Sequence, residues 1–416
     1  MRKRRRRQVV ILGFLTAIML VVAGVTAVTS SIIAEKTNSD LHSQKDMDIS
    51  QKAGNNEKNS WQQGEMENNE KTEKGEKTLT LRAVGDNLIH GTIYRQAKER
   101  GTDGLRYNFE YAYRNIAKMI ADADISFINQ ETLVTDDAFE PSAYPSFNSP
   151  PELGDHMIKI GFDLFGLSNN HSYDKGSTGI LESIKYWQKR KNVTAVGLYA
   201  TEEDKDKIEI VEKNGIKIAL LAFTEHTNGI PTPKTGSVIK TAETERVLKM
   251  VKEAEKLADI TIASVHWGVE DSSEVSDSQV EFGKLIVDAG VDLILGTHPH
   301  VLQRIETVKT AKNNALCIYS LGNFISAQDY APNLLGGILD LEMKVKEGTK
   351  QVEFTKVKFI PVVTHYGGGY SELRIIPLAD YTADLAKKHG VRNSDSRFTF
   401  DYLNDRIQKI IGEQYL

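Results

Sequence analysis

Residues 78–90 read TLTLRAVGDNLIH, and this stretch decides the reading of the fold. Thr78, Leu79, Thr80 and Leu81 alternate polar and apolar, the period of a half-buried strand. The strand runs into Gly85-Asp86-Asn87, with His90 three residues beyond. An apolar strand that ends on such residues is the layout of a ligand site, because open α/β sheets bind ligands outside the carboxyl ends of their strands.

The same layout recurs down the chain. Ile125–Ile128 is followed by Asn129-Gln130-Glu131, and Leu164–Leu167 by Ser168-Asn169-Asn170-His171, with Asp174 close behind. Ile260–Val265 leads to His266-Trp267-Gly268 and Leu293–Leu295 to Gly296-Thr297-His298-Pro299-His300. Leu316–Tyr319 leads to Ser320-Leu321-Gly322-Asn323. Helical patterns separate these strands, around 109–120, 152–160, 178–191, 241–257 and 278–289. Strands alternating with helices predict an α/β domain. A strand-rich stretch from Leu316 to Phe359 points to a mixed sheet completing it. Residues 78–380 form this domain, and 381–416 read as a C-terminal helical segment expected to pack as an appendage.

Each polar residue taken singly is an ordinary turn or cap residue. Together the six ends converge on one crevice, and five of the ten histidines fall in them: His90, His171, His266, His298 and His300. In His298-Pro299-His300 an extended backbone would turn both imidazoles to the same side. The Asp, Glu, Asn and His side chains gathered at these ends read as a polar site able to hold one or two divalent ions. Imidazole with carboxylate and amide oxygen suits manganese, iron or zinc. The single cysteine, Cys317, excludes both an intrachain disulfide and a thiolate zinc site. Asn87, Asn129, Glu225, Asn228, Trp267 and Asn323 are candidate substrate contacts, Trp267 as a pocket wall.

Outward from the domain, residues 34–77 are polar, with Trp61 the only aromatic, and read as a flexible linker. Residues 9–28 read VVILGFLTAIMLVVAGVTAV without a charge, long enough to cross a bilayer, so 9–33 is expected to be an uncleaved signal-anchor. Residues 1–8 carry six positive side chains, which the positive-inside rule keeps in the cytoplasm. A single-pass cell-membrane protein with an extracellular C-terminal domain follows. The formal net charge is −5, so without those six the remainder carries −11. An acidic body is a poor binder of a phosphate backbone, which argues against nucleic acid as partner.

The segments AVGDNLIH, FINQETLV, GLSNNHSYDKG, AFTEHTNGIP, SVHWGVE, LGTHPHVLQ and YSLGNFI, in order along the central domain, resemble the CapA family of poly-γ-glutamate capsule synthesis proteins. That family is similar to the calcineurin-like metallophosphoesterases, which implies a four-layer α/β/β/α sandwich. Under the resemblance Asp86 matches the first aspartate and Glu131 takes the place of the bridging acid. Asn170 matches a metal-binding asparagine, His266 a lone ligand histidine and His171 a catalytic histidine, which implies a general acid with Asp174 as its orienting partner. His298 and His300 match the final histidine pair. The pattern departs at Leu88, where a histidine is usual and His90 is the candidate replacement. It departs again at Glu131 for aspartate, Asn169 for glycine and Ser172 for glutamate. The resemblance implies a role in synthesis, export or anchoring of an anionic polymer, beside membrane-embedded synthase subunits. Three functions stay open: that polymer-assembly role, a metal-dependent hydrolase of phosphoester or γ-glutamyl bonds, and a scaffold whose site has degenerated.

Overall fold

The computed structural model describes residues 75–416. The basic end 1–8, the anchor 9–33 and the linker up to residue 74 lie outside the described residues. Among the described residues no helix is long and apolar enough to cross a membrane.

The strands in chain order begin with β1 (Glu76–Asn87), β2 (Ile125–Asn129), β3 (Leu164–Gly166), β4 (Thr194–Val196), β5 (Glu209–Lys213), β6 (Ile216–Thr224) and β7 (Ile260–His266). They continue with β8 (Leu293–Thr297), β9 (Ile305–Lys309), β10 (Asn314–Ile318), β11 (Asn323–Ile325), β12 (Leu335–Lys346), β13 (Val352–His365) and β14 (Arg374–Pro377). The helices are α1 (Gly91–Glu99), α2 (Glu110–Tyr113), α3 (Ala117–Ala121), α4 (Pro151–Lys159), α5 (Gly176–Gln188), α6 (Thr244–Leu257), α7 (Asp277–Ala289), α8 (Ala383–Lys388) and α9 (Phe400–Ile410).

These strands build two mixed sheets. The first has eight strands in the order β14-β13-β12-β1-β2-β3-β4, with β11 pairing β1. The second has six, in the order β5-β6-β7-β8-β10-β9. Every residue of β2, β7 and β8 is buried. This is why those strands read as mainly apolar runs: a parallel strand covered on both faces has no solvent-facing side to alternate with.

The stacking follows from period-two alternation along β6. Ile218, Leu220 and Ala222 join the main core, shared with the first sheet. Ala219, Leu221 and Phe223 join a second core with Val247, Met250 and Val251 of α6 and Ile286 and Val287 of α7. The second sheet is therefore packed between the first sheet and these two helices. Helices α1, α3, α4 and α5 bury Ile93, Ile120, Met157 and Tyr186 in the main core from the first sheet's side.

The helix expected over 109–120 is instead two short helices, α2 and α3. The chain breaks between them where Asn115 Nδ2 donates to the Ile375 carbonyl of β14 (2.8 Å) and Tyr113 OH donates to Asn87 Oδ1 (2.7 Å). The segment 381–416 is not an appendage. Tyr381, Ala386, Phe398, Leu403 and Ile407 belong to the main core, and Asp395 Oδ2 accepts the Ala331 N–H at 3.1 Å.

Candidate metal centre

Register sets the first rows of the site. In the first sheet Asp86 lies beside Asn129 of β2 and Asn323 of β11. In the second, Thr224, His266 and Thr297 form one row across β6, β7 and β8. The convergent strand ends thus come from two sheets, not one. Gly85 permits the close approach on the first: a Cβ there would overlap the Gly322 carbonyl oxygen.

Asp86 is fully buried. Its Oδ1 accepts from Asn129 Nδ2 at 2.7 Å; its Oδ2 accepts the His298 N–H at 3.3 Å and lies 3.1 Å from His300 Nδ1. The Asn323 Oδ1 is also 3.1 Å from His300 Nδ1, so two oxygens fix that ring. Glu131 is fully buried, and neither of its carboxylate oxygens has a hydrogen-bond partner among the described residues. Its Oε1 stands 3.7 Å from His300 Nε2 and 3.8 Å from His266 Nε2. Donor atoms of Asp86, Glu131 and His300 all lie within 4.8 Å of one another.

Around this group, His266 Nε2 faces Asn170 Oδ1 and its Nδ1 faces Thr297 Oγ1, both at 3.0 Å. Asn129 Oδ1, Asn170 Nδ2 and His298 Nδ1 are buried without partners. Burial would lower the His300 pKa, but Glu131 and Asp86 outweigh it and raise it to about 10. Burial, helped by His300, His226 and His171, lowers His298 to about 2. Burial drives the Glu131 carboxyl well up. A buried polar group left without a hydrogen bond costs about 1–3 kcal/mol. A cation among these oxygens and nitrogens removes that cost. Carboxylate, imidazole and amide donors fit a divalent ion, and the Asp86–Glu131–His300 group could hold one.

Beside this group His171 Nδ1 and Asp174 Oδ2 are 2.8 Å apart, and Asp174 Oδ2 also accepts the Phe147 N–H at 2.7 Å. The ring of Phe147 packs edge-on against His171 with centroids 4.7 Å apart. Asn169 and Ser172, the two departures nearby, build the turn. Asn169 Oδ1 accepts the His171 N–H, and Ser172 Oγ accepts the Asn169 N–H, both at 3.0 Å.

Other expected residues fall elsewhere. His90 is outside the Asp86–Glu131–His300 group: its Nδ1 accepts the Ala327 N–H at 3.2 Å. Asn87 spends its amide on Tyr113 and Gln130. Glu225 Oε2 accepts the Gly268 N–H at 2.8 Å, and Asn228 is exposed at a turn with φ +50°. Trp267 does not wall a pocket. It is buried in the second core, its Nε1 donates to the Tyr319 carbonyl at 2.9 Å, and it stacks on Tyr319. Nor are His298 and His300 extended: both have positive φ, +97° and +60°. The backbone twist, not strand alternation, aims the two rings. The loop Glu225-His226-Thr227-Asn228-Gly229, whose residues were expected to contact substrate, brings one further histidine to the group. His226 Nε2 lies 3.1 Å from His298 Nε2. Its signal was available, since it follows β6 as His266 ends β7.

Residues 80–328 match the family described as bacterial capsule synthesis protein PGA_cap. The chain belongs to that family. A relative within the reach of this PGA_cap protein is the PGA biosynthesis protein CapA of Bacillus subtilis (strain 168). It is 28% identical over 285 residues, 67% of this chain and 71% of that protein. The capsule biosynthesis protein CapA of Bacillus anthracis is 29% identical over 261 residues, 61% of each chain. Among solved structures, the 5'-nucleotidase from Candida albicans SC5314 aligns with a TM-score of 0.37 at 10% identity, over 68% of this chain and 51% of that one.

Proposed function

We propose that this PGA_cap protein acts in assembly of a poly-γ-glutamate capsule, through a divalent-metal site set in a metallophosphoesterase-like four-layer sandwich. The observation that carries the reading is Glu131: two bare carboxylate oxygens, wholly buried, grouped with Asp86 and His300. Asp86, Glu131 and His300 would hold one ion, and Asn170, His266 and His298 with Glu131 a second. Manganese, iron and zinc suit this donor set. Such an ion supplies charge for an incoming oxyanion or carboxylate. The acidic body otherwise repels a polyanion, so the ion provides the attraction the surface lacks. The segment 9–33 would anchor the chain in the cell membrane, domain outward, beside membrane-embedded synthase subunits.

Within this role a hydrolytic step is favoured by His171 and Asp174. Asp174 takes the Nδ1 side of the imidazole, which leaves Nε2 to give a proton to a leaving group. The bond broken would be a phosphoester or a γ-glutamyl linkage. The test uses three chains in a capsule-forming host: the natural chain, Asp86→Ala/His298→Ala and His171→Ala. The natural protein is expected to carry one or two equivalents of metal, lost in the double variant together with capsule output. His171→Ala is expected to keep its metal and lose output. Metal-free natural protein that stays so after reconstitution would overturn the metal reading. Full output from His171→Ala would remove the hydrolytic step and leave polymer docking.

A further inference from the structure

His226 sits outside every role described so far. The loop after β6 carries it, and Thr224 Oγ1 donates to its carbonyl at 2.8 Å, tying the loop base to the strand. The imidazole is half-buried and meets the His298 ring edge-on, centroids 4.7 Å apart and planes at 80°. Its Nε2 is 3.1 Å from His298 Nε2. The remaining contact of the ring is the Asn228 N–H, at 3.4 Å from Nδ1.

His298 has two ring nitrogens with different fates. Nε2 faces His226; Nδ1 is buried with no partner among the described residues. The backbone of His298 is held at φ +97°, with its N–H on Asp86 Oδ2. A strained conformation of this kind persists only where the surroundings over-determine it. A neutral imidazole bears one N–H. If that proton sat on Nδ1, a donor would be buried with no acceptor. If it sits on Nε2, it is donated to His226 and the Nδ1 lone pair is left bare among the buried donors of the site. Histidines that bind metal donate their other N–H to a neighbour, which fixes tautomer and ring orientation.

We propose that His226 is a positioning residue of the metal centre: it accepts the His298 Nε2–H and so commits His298 Nδ1 to a divalent cation. The inference rests on the metal reading above. A carboxylate is the usual acceptor in this position. Here Asp86, Glu131 and Asp174 already crowd the site, and a neutral imidazole orients His298 without adding a fourth negative charge. The long Asn228 contact to Nδ1 is given up in that state, because His226 then carries its own proton on Nδ1.

The test is cobalt binding by the full-length chain, followed by its visible absorption and titrated against a competing chelator. His226→Ala is expected to bind Co(II) about 10–100-fold more weakly than the natural chain. His226→Gln, whose Oε1 still accepts from His298, is expected to bind within about threefold of it. The cobalt spectrum should be the same in all three, since the ligands do not change. In chelator alone the melting temperatures should agree, which separates positioning from folding. Undiminished affinity in His226→Ala overturns the proposal. So does equal loss in both variants with an altered spectrum, which would make His226 a ligand itself. A natural chain that binds no cobalt defeats the underlying metal reading, a separate result.

Discussion

The sharpest consequence of the site is that Glu131→Gln should act with opposite signs with and without metal. Without metal, the natural carboxyl is fully buried and neither oxygen is hydrogen-bonded among the described residues, with His300 Nε2 at 3.7 Å. An amide of the same shape carries no charge. Its own unpaired atoms still cost something, so the net gain is about 1–2 kcal/mol. For a domain of about 340 residues the unfolding entropy is about 0.7 kcal/mol per kelvin, so the variant should melt about 2 °C higher in chelator. With Mn(II) or Zn(II) at a hundred times its dissociation constant, the natural protein gains about 2.7 kcal/mol, or about 4 °C. The variant should gain almost nothing. Scanning calorimetry of both proteins, in chelator and in metal, reads all four values. A variant that melts several degrees lower in chelator would show that Glu131 pairs with His300 across the 3.7 Å between them when no metal is bound. A variant that keeps the full metal-induced rise would remove Glu131 from the centre.

Three further outcomes are expected. Burial pushes the Asp292 carboxyl up to about 8 from 3.8, with the Thr261 N–H opposing and Glu255 assisting. The folded chain therefore keeps a proton that the unfolded chain loses, and stability falls as pH rises between those values, on the order of a few kcal/mol. Asp292→Asn keeps an acceptor for Thr261 and should flatten that slope in urea titrations at pH 5 and pH 8; a variant less stable at pH 8 would mean the group is ionised and paired. Gly85→Ala places a Cβ on the Gly322 carbonyl oxygen and forces β1 from β11. It should cost about 3 kcal/mol or more in thermal melts and lower metal content by moving Asp86 from Asn323. Trp267→Ala should cost about 3–5 kcal/mol as a core deletion, with metal affinity of the folded protein unchanged in chelator competition; weaker binding would return Trp267 to the pocket.

Much of this was open to reading because it depends on neighbours in the chain. The alternation in TLTL, the apolar runs of β2, β7 and β8, and the polar residues at their ends are local, and each predicts its element without knowing the rest. Alternation even contained the answer for Trp267, since consecutive strand residues face opposite ways and His266 faces the site. Spacing by itself does not show that the Ala327 N–H, 237 residues away, takes the Nδ1 of His90.

The sequence by itself determined that this is an α/β chain whose strand ends carry carboxylates, amides and imidazoles. Tertiary structure alone decided which ends lie on which of the two stacked sheets, and that Glu131 is left without a hydrogen bond between Asp86 and His300. It also decided that His226 meets His298. Side-chain period tells which face of a strand a residue takes, but not which surface that face will meet. Loop backbones such as those of His298 and His300 take their left-handed turns from contacts across the fold, which no window of sequence contains.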